Sequence, residues 1–247
     1  MAANIWEQFP ELKKIPKERF PNHVLIIPDG NGRWANKFHF LPVIGHRNGY
    51  KVLKETIRKM QELPIKILTI WAFSAANWKR SKKEIDSLMQ IFEQAVKEME
   101  EELLQKKIRF IHVGRKDRIP KTLKKSIEKL ENKTSKNKDK IFSLAIDFSG
   151  QDQELRVMQA IHRLPKATRI TLDLITKLRD AKGIIPSSDL VIRTSGEQRT
   201  SDLGWLVANS EFYSITKLLP DTKVSDFIEA IIDYSKRERR FGGRPNE

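Results

Sequence analysis

Six short runs rich in β-branched, aliphatic and aromatic residues alternate with stretches of helical periodicity, and that alternation leaves the chain one broad architecture. The runs are residues 23–27 (HVLII), 66–73 (KILTIWAF), 108–113 (IRFIHV), 141–147 (IFSLAID), 189–193 (DLVIR) and 211–215 (EFYSI). Each has strand length, and most are apolar at successive positions, as strands buried on both faces are. Between them, Val52, Leu53, Ile57 and Met60 mark a helix over 47–62. Ile85, Leu88, Met89, Phe92, Val96, Met99 and Leu103 mark a longer one over 85–104, opened by a Ser81–Glu84 capping box. Further helices are expected over 120–131, with a proline at its start, and over 152–163, 171–181 and 224–240; residues 132–140 read as a surface loop. Strands alternating with helices give a central, mainly parallel, six-stranded sheet covered on both faces. No repeat or linker divides the chain, so residues 1–247 are expected to form one α/β domain, with 1–20 as an extension and 224–247 as a closing helix and tail.

Sheets of this kind take ligands beyond the carboxyl ends of their strands. Four such ends are polar: Asp29, the Ser74–Asn77 segment, Asp147 and Arg193. After the first run comes Pro28-Asp29-Gly30-Asn31-Gly32-Arg33-Trp34. Its glycines let backbone N–H groups converge, a following helix adds a positive dipole end, and Arg33 adds a full charge. These features suit a diphosphate. Asp29 repels one unless a dication lies between them, and magnesium is commonly held by one or two carboxylates plus substrate phosphate oxygens. The stretch therefore reads as a magnesium-diphosphate seat or, more plainly, as an Asp-Gly turn. It is not a Walker A loop, since no Lys-Ser/Thr follows the glycines.

A second cluster, Arg193-Thr-Ser-Gly-Glu-Gln-Arg199-Thr-Ser201, could hold another anion or be a basic surface loop. Glu211 could be a second carboxylate for the metal or a solvated edge residue. At 72–80 (AFSAANWKR), Ser74, Asn77, Trp78 and Arg80 stand at a strand end, with Trp78 as an apolar wall; His46 is either a phosphate contact or structural. The formal net charge of +15 favours phosphate-bearing partners. No RNP, helix-turn-helix or zinc pattern points to a specific nucleic acid. The absence of cysteine excludes thiolate metal sites, cysteine nucleophiles and disulfides. Nothing at the N-terminus has the pattern of a signal peptide, so the expected setting is cytoplasmic. Two phosphate seats beside apolar helices suggest diphosphates with greasy tails.

The chain resembles the cis-prenyltransferases, whose bacterial type is undecaprenyl diphosphate synthase. The resemblance rests on HVLIIPDGNGRWA at 23–35, Gly45-His46, Ala72 to Arg80, DLVIRTSGEQRTS at 189–201 and ERRFGG at 238–243, in family order over nearly the whole chain. It implies a homodimer and repeated 1′-4 condensation of isopentenyl diphosphate onto an allylic diphosphate such as farnesyl diphosphate, giving cis double bonds. By the resemblance, Asp29 binds Mg2+ and assists departure of the allylic diphosphate, which Gly30, Asn31, Gly32, Arg33 and His46 hold. Arg193, Arg199 and Ser201 hold isopentenyl diphosphate, and Glu211 supports the magnesium. Asn77, with Ser74, lies where the proton leaves; Trp34, Trp78 and Arg80 belong to the substrate site. Arg240 and Gly242 fall in a segment that in relatives reaches the neighbouring subunit's site.

Several positions depart from the family pattern. Pro28 replaces a usual methionine, Pro42 an arginine, Ala76 a glutamate, and Gln151 and Gln198 an arginine and a histidine. These changes imply a slower enzyme, another allylic primer or a different product length. They leave open a head-to-middle coupling or a non-catalytic prenyl-diphosphate-binding subunit. A greasy product and a basic surface imply transient contact with anionic lipid.

Overall fold

A computed structural model describes residues 4–240 and Gly243. In chain order the elements are α1 (Ile5–Gln8), β1 (His23–Ile27), α2 (Asn31–Lys37), α3 (Pro42–Met60), β2 (Ile67–Ser74) and α4 (Lys82–Gln105). Then come β3 (Ile108–Val113), α5 (Lys121–Thr134), β4 (Lys140–Phe148), α6 (Gly150–His162), α7 (Leu172–Leu178), β5 (Leu190–Arg193), β6 (Glu211–Ser214) and α8 (Val224–Lys236). The six strands form one sheet in the order β3-β4-β2-β1-β5-β6. Every pairing is parallel, so the expected architecture holds and is parallel throughout. β1 lies inside the sheet, with Val24 opposite Leu68 on β2 and opposite Leu190 on β5.

Alternation along β1 sends its side chains to two cores. Val24 and Ile26 join a large cluster with Leu53, Ile57 and Met60 of α3, Phe92, Val96 and Met99 of α4, and Phe227 and Ile231 of α8. Leu25 and Ile27 join a smaller one with Trp71, Ile111, Phe148, Leu203 and Leu206. The larger core is the one between the sheet and α3 and α4.

Element ends differ from expectation for local reasons. Proline occupies the first turn of α3, where its fixed φ and missing N–H suit a helix start, so that helix begins at Pro42 rather than 47. α5 runs on to Thr134, into the expected loop: the Thr134 hydroxyl is fully buried, donates to Leu130 O and accepts the Phe110 N–H at 3.0 Å, tying the helix end to β3. α8 stops at Lys236, four residues early, because Arg237 turns away to pair with Asp233 and Glu211. α7 stops at Leu178, followed by left-handed Ala181 and Lys182. Ser81 caps α4 by accepting the Glu84 N–H, but the Glu84 carboxylate does not close the box; it is engaged elsewhere. Among the described residues no helix is long and apolar enough to cross a membrane.

Candidate active site

The loop after β1 sets the geometry. Gly30 is left-handed, at φ 101°, and an added Cβ would lie 2.1 Å from Ser195 Oγ, so only glycine passes there. Its turn lets the Gly30 N–H fold back on Asp29 Oδ1 at 2.7 Å and opens α2 at Asn31. α2 is pressed onto α3 because Gly45 and Gly49 carry no Cβ; one at either position would meet Asn31 at 2.0 Å. Glycine's helix penalty is thus accepted in exchange for placing Asn31, Gly32 and Arg33 at the sheet's carboxyl edge.

Asp29 and the second cluster converge. Arg193, at the end of β5 beside β1, donates from Nη2 to Asp29 Oδ2 at 2.9 Å and from Nη1 to Ser201 Oγ at 2.9 Å and Arg199 O at 2.6 Å. Thr194 Oγ1 accepts the Asp29 N–H at 2.8 Å and donates to Asp29 O at 2.7 Å. Arg33 lies 3.5 Å from Asp29 and 3.0 Å from Glu197, which also pairs with Arg199. Burial pushes the Asp29 carboxyl up, but the Arg193 hydrogen bond and charge, the Gly30 N–H and Arg33 together hold it below the usual carboxylate range. Asp29 is therefore an anion, neutralised by arginines that could turn to a phosphate.

Opposite this pair stands a group that sequence reasoning missed. Glu84 Oε1 is 3.1 Å from His46 Nε2 and 3.1 Å from Arg80 Nη1, so one carboxylate orients both. Burial lowers the His46 pKa, against the Glu84 hydrogen bond that raises it. Glu84 was legible only as a helix cap, since its partner lies 38 residues upstream. Asn77 Oδ1 accepts the Ser74 N–H at 3.0 Å, fixing the turn after β2.

These groups line the mouth of a cavity of about 560 Å³. Asp29 to Arg33, His46, Ser74, Asn77, Arg80, Glu84, Arg193 and Ser201 form its polar end. Its interior runs between α3, α4 and the sheet, against Leu53, Ile57, Ile70, Leu88, Ile91, Phe92, Ala95, Met99, Leu103, Phe142 and Leu144. The α4 side, from Leu88 to Leu103, is about 22 Å long at 1.5 Å per residue. Cross-helix pairs border it towards solvent: Lys54 and Tyr50 with Glu98, and Arg58 Nε with Glu102 at 2.9 Å.

Other expected site residues lie elsewhere. Trp78 does not wall the cavity: its ring packs on Phe73 and its Nε1 donates to Asp147 at 2.8 Å. Asp147, fully buried and left-handed, pairs with Arg118 and does not reach the cavity. Trp34 turns outward, donating to Asp221 at 2.7 Å. Arg199 is held by Glu197 just outside the mouth. Glu211 starts β6, opposite Leu190 at the amino end of β5, whereas Asp29 follows the carboxyl end of β1. Roughly 10 Å of strand separate those two edges, and Glu211 pairs with Arg237 at 3.0 Å. One chain therefore does not bring the two expected metal carboxylates together. Arg240 pairs with Glu238, next to Arg239, which contacts Asp189 at that same amino edge, away from its own chain's mouth. Gly242 lies outside the described residues. No cluster of three or more His, Asp or Glu able to hold a metal occurs among the described residues.

Comparison with known proteins finds relatives that span nearly the whole chain. Residues 27–242 match the family described as "Putative undecaprenyl diphosphate synthase". An isoprenyl transferase of Fusobacterium nucleatum is 38% identical over 93% of this chain and 99% of its own length. Dehydrodolichyl diphosphate synthase 2 of Arabidopsis thaliana is 36% identical over 98% of this chain and 80% of its own. Among solved structures, lavandulyl diphosphate synthase of Lavandula x intermedia, in complex with dimethylallyl diphosphate, superposes with a TM-score of 0.84 at 35% identity, covering 91% of this chain and 99% of that one.

Proposed function

The chain belongs to the undecaprenyl diphosphate synthase family of cis-prenyltransferases and is a prenyltransferase; from that premise we propose that it condenses isopentenyl diphosphate with an allylic diphosphate, in Z configuration, building a polyprenyl diphosphate. The observation that carries this reading is the junction of an anion-binding mouth with an apolar cavity. A prenyl diphosphate has both the anionic head and the apolar tail that this junction suits.

In this reading Gly30, Asn31, Gly32 and Arg33, with the His46–Glu84–Arg80 group, receive the allylic diphosphate while its tail enters between α3 and α4. Arg193, Arg199 and Ser201 receive isopentenyl diphosphate. Ionising the allylic C–O bond places negative charge on the departing diphosphate, which oriented N–H groups and arginines stabilise. C4 of isopentenyl diphosphate would then bond to the allylic C1, and its C2 proton would leave, beside the Asn77 amide and Ser74, to an oxygen of the departed diphosphate. The donor set fits magnesium: a single anionic carboxylate, Asp29, with diphosphate oxygens completing the shell, rather than an all-protein cage. Held there by Asp29, Mg2+ would supply charge neutralisation for the leaving group. Glu211, remote in one chain, could join it only through a second copy. A dimer is part of the reading, supported by exposed Leu155 and Met158 on α6 and Ile170 and Leu172 at α7.

The departures at Pro42 and Ala76, and the likeness to a synthase bound to dimethylallyl diphosphate, favour a C5 primer as a second reading. A labelled isopentenyl diphosphate assay over C5 to C20 allylic primers, with product length resolved by chromatography, tests both. Multiple incorporations on a long primer support the first reading and a single incorporation on C5 the second. No incorporation with any primer overturns them.

A further inference from the structure

The turn between α2 and α3 carries an exposed apolar tip that the reaction does not use. Phe38, Phe40 and Leu41 are 44%, 49% and 60% exposed. Trp34 gathers the two phenylalanines, its ring 4.9 Å from Phe38 and 6.1 Å from Phe40, and Phe38 stacks on Phe40 at 6.1 Å. His39 between them is left-handed, at φ 56°, and the Phe40 N–H returns to Ala35 O at 2.8 Å, so the rings are held outward on a tight turn. No element among the described residues buries this aromatic finger.

Its surroundings are cationic. Lys37 Nζ stands 5.6 Å from the Phe38 ring centre, and Arg47 and Lys51 are exposed on α3. Between residues 30 and 54 there are five lysines and arginines and no aspartate or glutamate. The Asp221 carboxylate beside the tip is taken by the Trp34 indole. Aromatic rings fringed by cations match the headgroup level of an anionic bilayer. The tip presents only a few side chains, well short of the roughly 800 Å² per partner that a stable protein interface buries. The first turn of α2 lines the cavity mouth, and Phe38 lies about 10 Å further along that helix.

We propose that the Trp34–Phe38–Phe40–Leu41 tip, with Lys37 and Arg47, is a docking surface for anionic lipid bilayers that sets the cavity mouth at the membrane. The proposal rests on the reading of the product as a prenyl lipid, which must pass from this mouth into a bilayer.

The test is co-sedimentation of the full chain with phosphatidylcholine vesicles, alone or with about 30% phosphatidylglycerol. It compares the wild type with F38S/F40S, Leu41→Ser and K37E/R47E. Binding to the anionic vesicles, lowered roughly tenfold by F38S/F40S and also by the other two variants, supports the proposal, provided turnover of short primers in lipid-free solution is unchanged. It is overturned by absence of wild-type binding or by equal binding of F38S/F40S. A change of sedimentation velocity in F38S/F40S with vesicle binding intact also overturns it, making the tip a contact between copies. Loss of turnover in the wild type strikes the enzymatic reading instead and is read separately from the vesicles.

Discussion

Glu84 holds His46 and Arg80 with a single oxygen at 3.1 Å each, and removing its charge should release both without disturbing the fold. Glu84→Gln is expected to lower kcat/KM for the allylic substrate about tenfold, the scale of one charge-assisted hydrogen bond, with an unchanged circular dichroism melt. Equal loss of kcat/KM and melting temperature would make it merely structural. Gly30→Ala puts a Cβ into Ser195 and a side chain at φ 101°; a loss of about 1–3 kcal/mol in denaturant unfolding is expected, with activity falling further as Asp29 shifts. What was readable in the sequence at this scale follows from chain distance. Asp29, Arg33, Arg193 and Ser201 belong to short contiguous stretches whose chemistry is evident within a few residues, and their convergence followed from parallel strand ends. Glu84 was not readable, because its role depends on a partner in another helix. Trp78 was misread as cavity wall because a strand end fixes a residue's position but not the direction of its ring, which the buried Asp147 claims.

At the scale of elements, α3 and α4 stand apart around the cavity and meet through ion pairs such as Arg58–Glu102. Partly exposed pairs of this kind contribute little stability, about 0–1 kcal/mol each, so the void's shape rests on the apolar side chains behind them. Ala95, near the middle of α4's inner face, is the smallest of these. Ala95→Phe is expected to shorten the product by at least one unit, seen by chromatography, while the first condensation keeps its rate. Unchanged length would mean the tail takes another route. Helices and strands were readable from apolar period, and their alternation implied a mainly parallel sheet; the strand order β3-β4-β2-β1-β5-β6 was not readable, because it is set by contacts between distant segments. The ends of the elements were less readable than their existence, since Thr134 extends α5 and Arg237 ends α8 through contacts with distant strands.

The whole molecule should show its buried histidines as acid sensitivity. Burial chiefly lowers His23 to about 4 and His112 to about 3, from 6.5. The unfolded chain therefore binds more protons than the folded one below pH 6.5. Stability is full above that value and falls as pH drops towards 4, and for His112 towards 3, by up to about 1.4 kcal/mol per pH unit for each ring. Thermal melts across pH 3 to 8 check this; a flat profile below 6.5 would contradict it. If a second copy covers α6 and α7, L155E/M158E should sediment as a monomer where the wild type is a dimer.

In the proposed reaction Asp29 stands among anion-binding groups because a dication joins it to a departing diphosphate. This role is tested most directly by following labelled isopentenyl diphosphate incorporation while titrating magnesium into metal-stripped wild type and Asp29→Asn. Wild-type turnover is expected to rise with magnesium and return to zero with chelator, and the variant to run at least about a hundredfold slower, roughly the loss of one oxyanion-stabilising group. Wild-type turnover indifferent to chelator, or a variant as fast as the wild type, would contradict it.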